Sequence, residues 1–74
     1  MTLLDVMAAL YASEINCRVS SFFDSGWTLQ LGDELNGFKA EATFYDFDEA
    51  ADWLRAAAIE HFPESAFARR AGGR

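Results

Sequence analysis

Strict alternation of apolar and polar side chains in the middle of the chain is the feature that most limits its fold. Residues 27–31 read Trp-Thr-Leu-Gln-Leu, the pattern of a strand that buries one face only. Segment 17–23 has strand-like composition and is joined to this run by Asp24-Ser25-Gly26. Asn36-Gly37, a strong hairpin signal, joins it to segment 38–44. The sequence therefore predicts a three-stranded antiparallel meander.

Each hairpin has a predicted register that gathers its apolar side chains on one face. In the first hairpin the pairs are Phe23 with Trp27, Ser21 with Leu29 and Val19 with Leu31. In the second they are Leu35 with Phe38, Leu31 with Ala42 and Leu29 with Phe44. Asp33 would then point inward opposite Ala40, so we expect a bulge at Gly32-Asp33 or a wider loop. The solvated face would carry Arg18, Ser20, Phe22, Thr28, Gln30, Lys39, Glu41, Thr43 and Tyr45.

One helix is predicted before the meander in the chain and another after it. The first spans about 3–15, begins at a Thr2 cap with Asp5 in its first turn, and ends where Asn16 can take a left-handed conformation. Its predicted apolar stripe contains Leu3, Leu4, Met7, Leu10, Tyr11 and Ile15.

The second helix is predicted to begin at Asp46, with Glu49 completing a capping box, and to end near Phe62, before Pro63. Its predicted apolar stripe contains Phe47, Ala50, Ala51, Leu54, Ala57, Ala58 and Phe62. Beyond Pro63, a short helical turn in which Phe67 folds back is compatible with the sequence. We expect residues 72–74 to be disordered.

These elements predict an α+β fold of the order α-β-β-β-α, with both helices on one face of the sheet. Residues 1–64 would form the single domain and 65–74 a basic, flexible tail. The element order resembles that of the double-stranded-RNA-binding domain. That family grips phosphates with lysines at the start of its last helix, whereas this chain has Asp46, Asp48 and Glu49 there. We therefore expect no direct nucleic-acid binding.

The charge of the chain indicates which partners it can bind, and its cysteine content indicates the compartment in which it works. All 12 carboxylates lie within residues 1–64 beside only three basic residues, a balance of −9, and three arginines in the last ten residues restore the total to −6. Such an acidic body repels phosphate backbones and favours basic partners. The single cysteine, Cys17, excludes an intrachain disulfide and fits a reducing compartment. We expect a cytoplasmic protein with no membrane association.

Candidate reactive groups are few. Glu14 and His61 each lie near the middle of a predicted apolar stripe, so converging helix ends would bring carboxylate and imidazole into an ion pair. The alternative is that both lie in a final turn exposed to solvent. Asp33, Glu34 and Asn36 offer oxygen ligands, but their spacing does not match a calcium-binding loop. The sequence predicts no catalytic residue, metal or cofactor.

The leading hypothesis is a non-catalytic protein-interaction module with a protein partner or self-association, for example as a homodimer. Its contact surface would be the outer side of the second helix, which has acidic and aromatic residues. The predicted members are Asp48, Asp52, Trp53, Ile59 and Phe67. Two alternatives stay open: a nucleic-acid-linked protein, either a degenerate RNA-binding fold or an acidic DNA mimic, and a small-ligand binder or enzyme that uses Glu14 and His61.

Overall fold

A helix, a three-stranded antiparallel meander and two further helices make up the fold in the computed structural model, which describes residues 1–71. The predicted α+β architecture is confirmed. In chain order the elements are α1 (Leu3–Ala12), β1 (Cys17–Phe22), β2 (Gly26–Asp33), β3 (Gly37–Phe44), α2 (Phe47–His61) and α3 (Ala66–Ala71).

The sheet has the order β1-β2-β3, so each strand pairs with its neighbour in the chain. Both registers differ by two residues from those predicted. Val19 pairs with Leu29 rather than Leu31, and Leu29 pairs with Ala42 rather than Phe44. A shift of two residues keeps the paired side chains between the turn and the bulge on their predicted face, because side chains alternate with a period of two.

The shift in the first hairpin arises at its turn. β1 ends at Phe22, which pairs with Gly26, so Phe23 lies in the loop with its side chain fully exposed. Ser25 donates its backbone N–H to the Phe22 carbonyl at 3.0 Å. Phe23 therefore contributes nothing to the apolar face on which the alternation places it.

The second hairpin contains both a bulge and a wider loop, the two features that the sequence offers as alternatives for accommodating Asp33. The ladder is irregular between Leu31 and Gly32, and residues 34–36 form a three-residue loop in place of a two-residue turn. The Arg18 guanidinium lies 5.2 Å from the centre of the Phe38 ring. Because Arg18 shares the outer face with its cross-strand partner Gln30, the bulge places Phe38 on that face, opposite to our prediction.

α1 begins as predicted and ends early. Thr2 and Asp5 form a reciprocal capping box. The helix stops at Ala12, and Glu14, not Asn16, takes the left-handed conformation, with φ 61°. The buried stripe is made of Leu3, Val6 and Leu10.

The core lies between the inner face of the sheet and the helices. Its fully buried large side chains are Val6, Leu10, Leu29, Leu31 and Leu54. Small residues let α2 approach closely, since Ala50, Ala51, Ala57 and Ala58 are all buried. The Asp46 carboxylate caps α2 by accepting from the backbone N–H of Asp48 at 2.7 Å and of Glu49 at 3.4 Å.

The chain beyond Pro63 adds to this core. Of the residues assigned from the sequence to a flexible tail, Ala66–Ala71 form α3, and the Phe67 side chain is only 4% exposed. Ser65 begins this turn by accepting from the Ala68 N–H at 3.0 Å. The expected disorder at 72–74 concerns residues outside the described part of the chain. No helix within residues 1–71 has the length and apolar character needed to cross a membrane.

Candidate functional site

An apolar groove of about 530 Å³ separates α1 from the sheet. We call it the α1–β1 groove. Leu3, Leu4 and Met7 line it from α1, Val19 and Trp27 from the sheet, and Phe47 from the start of α2. Asp48 is the one charged residue among the described residues that line it. Its lining suits an apolar side chain from another molecule better than a charged ligand.

Aromatic rings close one end of the groove. The Trp27 and Phe47 rings are 4.3 Å apart between centroids at an angle of 42°. Trp27 lies near the start of β2, whereas Phe47 opens α2, so this contact fixes the α2 N-terminus against the sheet. Phe47 remains half exposed and presents its ring to solvent at the mouth of the groove.

The outer side of α1 continues this apolar surface. Leu4 is 74% and Tyr11 86% exposed, and Ala8 lies exposed between them at helical spacing. We call Leu4, Ala8 and Tyr11 the outer stripe. Within Leu3–Ala12 only Asp5 is charged. A helix that is apolar on all sides is normally buried on all sides, so the outer stripe is unusual for an exposed surface.

The free edge of β1 adjoins the groove. The Gly32 N–H donates to the Asn16 carbonyl at 2.7 Å, and hydrogen-bonded pairs recur at every second residue of an antiparallel ladder. The backbone N–H and C=O groups of Arg18, Ser20 and Phe22 therefore form the hydrogen bonds to β2. The N–H and C=O groups of Cys17, Val19 and Ser21 point away from β2, and no strand of the described chain pairs with that edge.

Polar and charged side chains occupy the middle of the other face of the sheet and its other edge. Gln30 donates to Glu41 at 3.0 Å, and the Thr28 and Thr43 hydroxyls lie 3.0 Å apart. Charged side chains on β3, such as Lys39 and Glu41, protect its edge against pairing with other strands. On β1 the one charged side chain is Arg18, which bonds Glu34 at 2.7 Å. The β1 edge is thus the less protected of the two.

The surface that we predicted on α2 is dispersed. Asp48 and Asp52 are exposed, but Trp53 and Ile59 are half buried against the core and Phe67 is buried. Trp53 packs its ring 5.7 Å from that of Phe44. The aromatic part of the predicted surface therefore belongs to the edge of the core.

Glu14 and His61 line the same cavity but do not form the predicted pair. Both are exposed and line one shallow cavity where α1 and α2 end. Within residues 1–71, no hydrogen bond or ion pair joins them. Because α1 stops at Ala12, Glu14 lies in the loop and not on a helical stripe. The geometry offers no pre-formed carboxylate–imidazole pair.

In the loop of Asp33, Glu34 and Asn36, the carboxylate of Asp33 accepts hydrogen bonds from neighbouring residues. Asp33 accepts from the backbone N–H of Asn36 at 2.7 Å and from the Asn16 side chain at 2.7 Å. The Asn36 N–H, followed by the side-chain amide of Asn16, holds the pKa of Asp33 below its usual range. Residues 1–71 contain no group of three or more His, Cys, Asp or Glu side chains placed to hold a metal.

The lone thiol lies in an environment that disfavours its ionised form. Cys17 begins β1 on the inner side of the sheet and is half buried. This burial raises the pKa of the thiol, and a reactive cysteine needs a lowered pKa. Cys17 thus lacks the activation that a nucleophile requires.

Sequence reasoning missed the α1–β1 groove because it assigned Leu4 and Tyr11 to the core. The signal was present, since the sequence of α1 is apolar on every side and one side had to remain uncovered. No family model, curated protein or solved structure matches the chain.

Proposed function

We propose that this protein is a non-catalytic interaction module that contacts another protein chain through the α1–β1 groove and the outer stripe. The observation that carries the proposal is the large exposure of Leu4 and Tyr11 beside an apolar groove. Contiguous apolar surface bordered by polar residues marks contact sites on folded domains. The contact surface is therefore moved from the outer side of α2, where the sequence had suggested it, to α1.

The chemistry of the remaining surface supports a contact function over a catalytic one. The carboxylate of Asp33 is held by asparagine donors, Glu34 is paired with Arg18, and the Cys17 thiol is half buried. Interface centres favour aromatic and large apolar residues over charged ones. The groove has that composition, with Trp27, Phe47 and Leu4 around a single carboxylate.

Two leucine variants test the proposal. Leu4→Lys places a charge at the groove, while Leu35→Lys makes the same change of charge in the 34–36 loop, where Leu35 is 93% exposed. Both side chains lie in solvent, so both variants should keep the wild-type circular dichroism spectrum. Binding is measured by crosslinking and mass spectrometry with each variant as bait in an extract of the source cell.

The expected result is a chain, either a different protein or the module itself, that crosslinks to wild type and to Leu35→Lys but not to Leu4→Lys. Partners that bind all three baits equally would show that the α1–β1 groove is not the contact surface. Turnover of a substrate that is abolished by Glu14→Gln or His61→Ala would favour the enzymatic alternative instead.

A further inference from the structure

We infer that the α1–β1 groove is covered by a second copy of this chain, which pairs β1 with β1 in antiparallel orientation about a two-fold axis at Val19. This inference rests on the proposed function and names its partner. The product is a continuous six-stranded sheet on which α1 of one copy packs against α1 of the other. Three observations support it: the hydrogen-bonding pattern of the edge, the position of the outer stripe, and the distribution of charge.

The free edge of β1 is complementary to itself. Its outward-facing residues are Cys17, Val19 and Ser21. An antiparallel pair centred on Val19 places Val19 opposite Val19 of the second copy and Cys17 opposite its Ser21. All three residues then exchange N–H···O=C bonds, and a register displaced by two residues would use fewer. Arg18 falls opposite Ser20, so no like charges meet across the pair.

The same axis brings the outer stripes together. The start of α1 lines the groove beside Ser21 and Trp27, and the loop after Ala12 leads into Cys17, so α1 runs antiparallel to β1. Met7 and Val19 line the same groove, which puts the middle of α1 near the axis. The two α1 helices would therefore cross close to Ala8, and Leu4 of each copy would meet Tyr11 of the other.

Charge favours a second copy over an oppositely charged partner at this face. The chain has a net charge of −6, yet α1 and β1 together contain only Asp5 and Arg18 as charged residues. Asp48 adds one carboxylate at the groove, so two acidic chains can approach here with little local repulsion. A strongly basic partner would find its complement elsewhere, for example around the exposed carboxylates Glu49 and Asp52.

A second copy would have to cover a sizeable part of the surface. A standard interface buries about 800 Å² on each partner, roughly a sixth of the 5012 Å² surface of this chain. Strand pairing along β1, the outer stripe and the groove lie next to one another and would all contribute to one interface. Small domains commonly gain stability by oligomerisation, and the uncovered apolar side of α1 is what such a contact would bury.

The first test is the mass in solution, measured by sedimentation equilibrium over a wide range of concentration. Wild type and Leu35→Lys are expected to have twice the chain mass of 8.2 kDa. Ser21→Pro removes an outward N–H without removing a bond to β2, and Leu4→Lys charges the outer stripe while lowering the net negative charge. Each should raise the dissociation constant at least tenfold. Ser21→Ala, which keeps the N–H, should not.

The second test fixes the register with disulfides, all in a Cys17→Ser background except where stated. Val19→Cys should form an intermolecular disulfide, because directly paired residues have Cα atoms about 5.5 Å apart. Ser21→Cys with native Cys17 retained should also crosslink. Ser20→Cys, on the other face and opposite Arg18, is the control and should not.

The outcomes separate this inference from the proposed function. A chain that stays monomeric at millimolar concentration overturns the dimer, while loss of partner crosslinking in Leu4→Lys alone would still support a contact function at the groove. A dimer that persists in Leu4→Lys and Ser21→Pro overturns the assigned surface. A dimer in which Ser20→Cys crosslinks and Val19→Cys does not overturns the register.

Discussion

The side-chain amide of Asn16 donates a hydrogen bond to Oδ2 of Asp33 at 2.7 Å, which joins the loop after α1 to the end of β2. The other carboxylate oxygen accepts from the backbone N–H of Asn36 at 2.7 Å. One carboxylate therefore holds both the entry to β1 and the 34–36 loop. These donors stabilise the ionised form, and the pKa of Asp33 is lowered as a result.

The first prediction concerns the pH dependence of stability. A carboxylate whose folded pKa is lower than its unfolded value, about 3.9, stabilises the fold above that unfolded value. This stabilisation is lost as the pH falls from about 4 through the folded pKa. Asp33→Asn should melt at a lower temperature than wild type at pH 7, and the difference should vanish in stronger acid. Melting temperatures between pH 2 and pH 7 measure it.

Asn16→Ala serves as the matched variant for this prediction, because it removes one donor and leaves the carboxylate and Asn36 in place. Its effect should have the same pH dependence as that of Asp33→Asn and a smaller size. A difference from wild type that is independent of pH would contradict the role assigned to the ionised carboxylate.

The second prediction concerns the reactivity of Cys17. Burial raises the pKa of this thiol, and only the thiolate reacts with iodoacetamide. Alkylation at pH 7.5 should be several-fold slower in the folded chain than in urea. The same measurement on Ser21→Pro removes any shielding by a second copy. A folded rate equal to or above the unfolded rate would reveal an activated thiol and revive an enzymatic interpretation.

The third prediction concerns Gly32 at the bulge. A Cβ atom there would lie 2.5 Å from the Gly37 carbonyl oxygen, and the residue has φ +114°. In Gly32→Ala the new Cβ would clash with backbone atoms, and alanine would also have to adopt an unfavourable backbone conformation. The substitution should therefore lower the free energy of unfolding by about 3 kcal/mol or more. Gly37 is the control, because it has φ +91° and a Cβ added there would have no other atom within 4 Å.

Gly37→Ala should cost only the conformational part, about 1–2 kcal/mol. Urea unfolding of the two variants measures the difference. Equal losses would mean that the close approach at Gly32 does not contribute to stability.

The fourth prediction concerns Glu14, whose φ of 61° is rare for a residue with a side chain. Glycine takes this conformation without strain, so Glu14→Gly should raise the free energy of unfolding by about 0.5–1 kcal/mol. Ser13→Gly, at φ −95°, should instead lower it by a similar amount. A loss of stability in Glu14→Gly would mean that the glutamate side chain makes a stabilising contact.

The sheet could be predicted from the sequence in type and order, and in facing except at Phe23 and Phe38. The alternation over 27–31 and the glycines at both turns identify the hairpins, and the awkward position of Asp33 indicates the bulge. The registers could not be predicted, because two registers that differ by two residues bury the same face. The register of the first hairpin is set by the position of Phe23, which lies in the turn and not in the strand. The apolar pattern of β1 would instead have favoured Phe23 as part of the strand.

The candidate site was harder to predict for a related reason. α1 is apolar on every side, so periodicity alone does not identify the side that faces the core. The helix is rotated so that Val6 is buried and Leu4 and Tyr11 are exposed. On α2 the pattern is unambiguous, and the buried alanines were predicted correctly. Phe67 was placed at the surface because its helix lies beyond Pro63, where we expected a flexible tail.

The order β1-β2-β3 also has a consequence for how the chain folds. Each strand finds its partner across a loop of three residues, so the meander closes with small losses of chain entropy. α1 and α2 pack together although the whole sheet separates them in the chain. We expect the hairpins to form before α1 docks, the step that completes the core of each chain.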